Sequence, residues 1–182
     1  MVIGITGTNS SGKDTVAKFF IEKGFDSFSL SDILREEAKK RGIEENRDNL
    51  QGIGNELREK FGTGYLAQET LKKIKRDAIV TSIRHSDEVK TLKQAQNFFL
   101  IAIDAPIELR YKRARKRQGT QDAIDFETFQ KQEAKEFQKS GSGQQLGKCM
   151  EMAGYKIENN GTKEEFYKKL ENLFKSIENE EN

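Results

Sequence analysis

The 182-residue chain has one cysteine, one histidine, one proline and no tryptophan. The lone Cys149 cannot form an internal disulfide, which suits a reducing, cytoplasmic setting. His85 and Cys149 are each alone of their kind, so a Cys/His zinc cluster within one chain is excluded, and zinc-dependent base deamination with it. Net charge is only +2, from 32 Lys+Arg against 30 Asp+Glu, so no global field attracts nucleic acid or an acidic membrane. No apolar run approaches the roughly 20 residues that span a bilayer. Met1-Val2-Ile3 leads straight into a glycine turn without a basic leader, so no secretory signal is expected. What remains is the chemistry of carboxylates, Lys, Arg and backbone groups in a single domain.

What is present alternates. Val2-Ile3-Gly4-Ile5-Thr6 reads as a buried strand, and Val16, Phe19 and Phe20 then fall at helical spacing. Ser27-Phe28-Ser29-Leu30 is a second short strand, followed by a capped helix from Ser31. Residues 45–75 read as mostly helical with a break at Phe61-Gly62-Thr63-Gly64, and residues 78–83 and 97–103 as two further strands. Pro106 marks a helix start, and another helix is expected around Phe126-Phe137. Tyr155-Lys156-Ile157-Glu158 is a fifth strand before a last helix from Thr162. This order predicts an α/β fold, three-layer α/β/α on a five-stranded parallel sheet. Residues 1–178 form one domain with insertions at 42–75 and 118–145, and residues 179–182, Asn- and Glu-rich, are expected to fray.

Gly7-Thr8-Asn9-Ser10-Ser11-Gly12-Lys13 follows a strand and opens a helix. In that context G-x-x-x-x-G-K is a phosphate loop. Glycines let successive N–H groups converge on one phosphate, the helix N-terminus adds partial positive charge, and Lys13 reaches the terminal phosphates. Gly7, Asn9, Ser10, Ser11, Gly12, Lys13, Asp14 and Thr15 are therefore the candidate nucleotide-binding residues. Asp14 stands where a hydroxyl usually follows the lysine, and a carboxylate there is expected to face away from the phosphates.

These motifs resemble those of the nucleoside monophosphate kinase group. Adenylate kinases share the Lys13-Asp14-Thr15 spacing, and their second motif is similar to Ser29-Leu30-Ser31-Asp32-Ile33-Leu34-Arg35. Their third resembles Thr81-Ser82-Ile83-Arg84. The resemblance implies that Arg35 and Arg84 hold an acceptor phosphate, that helices within about 31–75 bind the acceptor, and that residues 118–145 form a lid. It nominates Arg113 and Arg117, with Arg110, as arginines that close over the transferring group; a solvated basic face is the equal alternative. Six of the eight residues 110–117 are basic, yet no aromatic platform for nucleic acid accompanies them. The segment Ala153 to Phe166 resembles the last strand and helix of dephospho-CoA kinases, which places Asn160 and Gly161 beside the adenine. Over most of residues 1–175 the chain looks like dephospho-CoA-kinase-like proteins of archaeal type, and like the P-loop segment of some deoxycytidylate deaminases.

Two departures carry chemistry. Thr81 replaces the acid that orients magnesium waters, leaving Thr15 and Thr81 (through water) as the metal candidates. Ser29 and Ser31 stand where dephospho-CoA kinases carry aspartates. The expected cofactors are ATP and Mg2+, and the expected partner is a small phosphate or hydroxyl acceptor. A phosphate acceptor needs arginines rather than a base, as Arg35 and Arg84 would supply. A hydroxyl acceptor gains from a carboxylate, for which Asp32 is the candidate, although a helix cap explains Asp32 equally well. A nucleotide-binding switch with little turnover is the reading from another class, motivated by Thr81.

Overall fold

In the computed structural model, residues 1–118, 125–137 and 145–181 are described. The strands are β1 (Val2–Gly7), β2 (Asp26–Ser29), β3 (Ala78–Thr81), β4 (Phe98–Asp104) and β5 (Tyr155–Glu158). All pair in parallel, in the order β2-β3-β1-β4-β5. The helices are α1 (Lys13–Glu22), α2 (Leu30–Arg41), α3 (Arg47–Phe61), α4 (Tyr65–Lys73), α5 (Ser86–Leu92), α6 (Ile107–Gln118), α7 (Phe126–Glu136), α8 (Leu146–Glu151) and α9 (Lys163–Glu181). The expected five-stranded α/β/α sandwich is thus present.

Strand alternation divides the core. Ile3, Ile5, Ile79, Ile101 and Ile103 face α1 and α9, where Phe19, Phe20, Phe25 and Phe174 pack edge to face. Val2, Val80 and Leu100 face the opposite layer, built from α2, α3, α4, α5 and α8. Gly4 belongs to that second face, and a Cβ there would stand 2.8 Å from Phe98 and 2.9 Å from Leu100. A side chain on the middle strand at that point would force those neighbours to shift.

Two local outcomes differ from what the sequence predicts. The chain remains helical to Glu181, into the 179–182 tail expected to fray; Ile177 is fully buried, and the Tyr155 hydroxyl donates to Glu180. Residues 86–92 form α5, a seven-residue helix started by His85, whose Nδ1 accepts from the Asp87 N–H at 3.1 Å. His85 is a buried cap.

Candidate active site

The loop between β1 and α1 takes its shape from three positive φ angles: Gly7 at 142°, Ser10 at 58° and Gly12 at 109°. A Cβ at Gly7 would strike the Ile103 carbonyl, and one at Gly12 would strike the Asn159 amide, so both glycines are sterically required. Lys13 Nζ bends back to donate to the carbonyls of Gly7 (2.8 Å) and Thr8 (2.5 Å). Burial first, and then the nearby Arg84 cation, lower its pKa from 10.5 to about 8. Asp14 and Glu136 oppose that shift, while Arg117 adds to it. Ser11 is fully buried, and its hydroxyl has no hydrogen-bond partner. A strained loop, a compressed ammonium and an unpaired hydroxyl are features that a bound oligophosphate would relieve.

Two cavities flank the loop. The larger, of about 330 Å3, is lined by Gly7, Asn9 and Lys13 together with Arg35, Arg58 and Arg84. Leu30, Leu34, Leu50 and Leu66 supply apolar wall. The smaller, of about 280 Å3, is lined by Ser10, Gly12, Thr15, Arg113, Arg117 and Gly161 among others. Arg35 and Arg84 therefore line one cavity together, while Arg113 and Arg117 line the other cleft.

Several candidates take roles the sequence leaves open. Asp32 closes a capping box at the start of α2, accepting from the Ser29 N–H at 3.2 Å and from Arg35 at 2.9 Å. Its carboxylate is exposed and is not among the described residues lining the cavity. Of the two readings of Asp32, the cap is the one the structure displays. Asp14 faces solvent, 3.2 Å from Arg117, away from the loop as expected. Arg110 is buried, donating to the Ala105 carbonyl at 2.7 Å and to Glu133, so it is an internal strut. Asn160 turns its side chain to Lys169, at 3.3 Å. The preceding Asn159 instead reaches the loop, donating to the Ser11 carbonyl at 2.8 Å. Arg113 supports it, at 3.1 Å from the Asn159 carbonyl and 3.3 Å from its Oδ1. Burial lowers the Arg113 pKa, and one of its buried nitrogens, Nη1, has no partner. Gly161 lines the smaller cleft.

Other site residues carry no signal in the sequence. Arg58 of α3 is 6% exposed and pairs with the fully buried Glu88 of α5 at 3.2 Å. The other Glu88 oxygen accepts the N–H groups of Arg84 (2.8 Å) and His85 (3.0 Å), so it positions the Arg84 backbone. Glu136, from α7, lines the larger cavity and accepts from Arg84 at 3.4 Å. In sequence these are unremarkable members of a chain that is 34% charged, and sequence reasoning missed them. Gln144, which the sequence leaves unassigned, lies outside the described residues, as does much of the expected lid at 118–145.

Thr15 lines the smaller cleft, whereas the Thr81 hydroxyl donates to the Phe28 carbonyl at 3.3 Å. Beside Thr81, Ser82 adopts φ 62° and its hydroxyl lies 2.8 Å from that of Ser29. Among the described residues no group of three His, Cys, Asp or Glu side chains could hold a metal ion.

The family of AAA domains matches residues 3–138. A UPF0200 protein of Pyrococcus horikoshii is 34% identical over 186 residues, with 97% of each chain covered. One from Thermococcus kodakarensis is 30% identical, covering 97% of this chain and 98% of that one. The chain belongs to the UPF0200 family. Shikimate kinase from Acinetobacter baumannii superposes with a TM-score of 0.60 at 19% identity, covering 96% of this chain and 93% of that one. Dephospho-CoA kinase from Campylobacter jejuni gives 0.54 at 14% identity, covering 97% and 96%. At such identities the likeness is one of fold, and the fold is that of the P-loop kinases. This member of the UPF0200 family has the scaffold on which small-molecule kinases are built, and no helix among its described residues is long and apolar enough to cross a membrane.

Proposed function

We propose that the protein transfers a phosphoryl group from ATP to a small acceptor that already carries a phosphate, a nucleoside or deoxynucleoside monophosphate. The observation that carries this reading is the convergence of Arg35 and Arg84 with Lys13 on one cavity of about 330 Å3. Phosphoryl transfer asks for in-line placement and positive charge around the moving group. Lys13 neutralises the donor's terminal phosphates from one side of the cavity. Arg35 and Arg84 hold the acceptor phosphate from the other, with guanidinium forks suited to bidentate contact. Leucine walls keep water from competing as acceptor. Magnesium, bound with the nucleotide, would supply the charge neutralisation that Thr81 does not.

A hydroxyl acceptor, as in dephospho-CoA kinase, is the second reading, and Glu136 is what favours it. Its carboxylate lines the same cavity and could take a hydroxyl proton where the capped Asp32 does not reach.

The test is ADP release from Mg-ATP against nucleoside monophosphates, deoxynucleotides and dephospho-CoA, with Lys13→Ala as control. One or more monophosphates should stimulate turnover that the control abolishes. Stimulation by dephospho-CoA alone would favour the second reading. Tight ATP binding with no stimulated turnover would make the protein a nucleotide-binding switch.

A further inference from the structure

We infer that the Arg58 wall of the larger cavity is a subsite for an uncharged, carbonyl-bearing ring, of the kind a nucleobase presents. This rests on the monophosphate reading and specifies what the acceptor carries besides its phosphate.

Charge limits what this wall can take. Arg58 is 6% exposed and Glu88 0%, and they meet at 3.2 Å. The pair is electrically closed, so its neighbour at the cavity need not be an anion. A second carboxylate or phosphate at this wall would find the Arg58 charge already taken by Glu88. Yet the Arg58 guanidinium is not fully used. Nη2 serves Glu88, while Nε is buried without any hydrogen-bond partner. A buried, unanswered N–H costs stability until something accepts from it. One neutral acceptor atom is what the residue lacks.

Shape supports the same occupant. Residue 54 is glycine, and a Cβ there would stand 3.1 Å from Arg58 Nη1 and 3.5 Å from Leu34. The α3 backbone is thus kept bare where the guanidinium lies. Leu34, Leu50 and Leu66 line the same cavity, with Gln51 as a further polar group. An apolar surface interrupted by a few placed polar groups suits a flat heterocycle better than a polyol.

The experiment is calorimetric titration of wild type and Arg58→Lys with nucleoside monophosphates, ribose 5-phosphate and 6-phosphogluconate. Lysine keeps a charge for Glu88 but has no Nε–H. Wild type should bind at least one nucleoside monophosphate about tenfold or more tighter than ribose 5-phosphate, and Arg58→Lys should erase that margin while binding ribose 5-phosphate unchanged. Gly54→Ala, which presses a methyl on the guanidinium, should show the same selective loss if Arg58→Lys folds poorly. Equal binding of base-bearing and base-free phosphates by wild type would overturn the inference. So would equal weakening of both by the variants, or an Arg58-dependent preference for 6-phosphogluconate. Binding needs no turnover, so a protein that binds the base through Arg58 but transfers no phosphoryl group would sink the kinase reading alone. Wild type that shows no base preference yet turns over a monophosphate would sink only the subsite.

Discussion

Lys13 shows how far a single residue can be read. Its place after Gly12 marks it as a phosphate ligand from sequence alone, because the loop is contiguous and its chemistry is local. What sequence does not reveal is the condition of the ammonium, which depends on folded neighbours. Burial and the approach of Arg84 hold its pKa near 8, against the ordinary 10.5 of an exposed lysine. Below about 8 the cost of keeping that charge in the folded loop is fully present. Between about 8 and 10.5 the unfolded chain binds the extra proton, so this residue's contribution makes stability rise with pH across that window. An oligophosphate reverses the preference by favouring the charged form. Tripolyphosphate binding should therefore weaken as pH passes about 8 and should take up a proton there. Titration calorimetry in buffers of different ionisation heat checks this, and Lys13→Met should lose both the proton uptake and the pH dependence. Arg58 marks the opposite limit. It sits 30 residues from Glu88 in sequence, and only the packing of α3 and α5 against the sheet makes them a buried pair. Nothing at the residue level separates it from the exposed Arg41, which is ion-paired to Glu37 and Glu56 on the surface.

Among the elements, legibility follows length and pattern. All five strands are readable, because short apolar runs bounded by glycine and polar turns leave few alternatives. α5 is not, since seven residues with only Val89 and Leu92 apolar are too short to display a period. The basic run on α6 is readable as a pattern but not as a division of labour. Residues at i, i+3 and i+7 separate once folded: Arg110 is an internal strut, while Arg113 and Arg117 line the smaller cleft. α7 carries the less expected device. Its glutamates at 133 and 136, one turn apart, meet Arg110 and Arg84 respectively. Glu136 thus places negative charge near Lys13 and on the arginine that would hold an acceptor phosphate. The two acceptor readings make opposite demands on it. For a phosphate acceptor the carboxylate competes with the ligand, and Glu136→Gln should lower the acceptor KM severalfold with kcat retained. For a hydroxyl acceptor the same change would remove a base and cost kcat about a hundredfold or more. Steady-state kinetics on the one variant separates them, and the first outcome is expected.

The whole molecule is a sheet whose two halves are joined at the phosphate loop. The AAA match ends at residue 138, yet the loop is completed by residues beyond it. β5 pairs with β4, bringing the turn after it against α1. Asn159 then donates to the Ser11 carbonyl, and its amide fills the space a side chain at Gly12 would need. Arg113 of α6 binds the same asparagine, so three distant stretches of chain meet beside the smaller cleft. The sequence points to Asn160 and Gly161 through a local likeness. It cannot say which asparagine faces inward, because a turn adjacent to a strand end can present either. Burial answers this: Asn159 is 7% exposed, while Asn160 lies on the surface. The joint has two consequences that need not travel together. Asn159→Ala removes a buried hydrogen bond to the loop, which should cost about 1–3 kcal/mol of global stability. It also leaves Arg113 without one acceptor and the loop without its brace, so ATP affinity should fall by more than the loss of stability alone requires. Thermal unfolding with and without saturating ATP measures both effects: the ligand-free midpoint should drop, and the rise on adding ATP should shrink. A lower midpoint with an undiminished rise would make Asn159 a structural staple and leave the smaller cleft without its claim to the nucleotide.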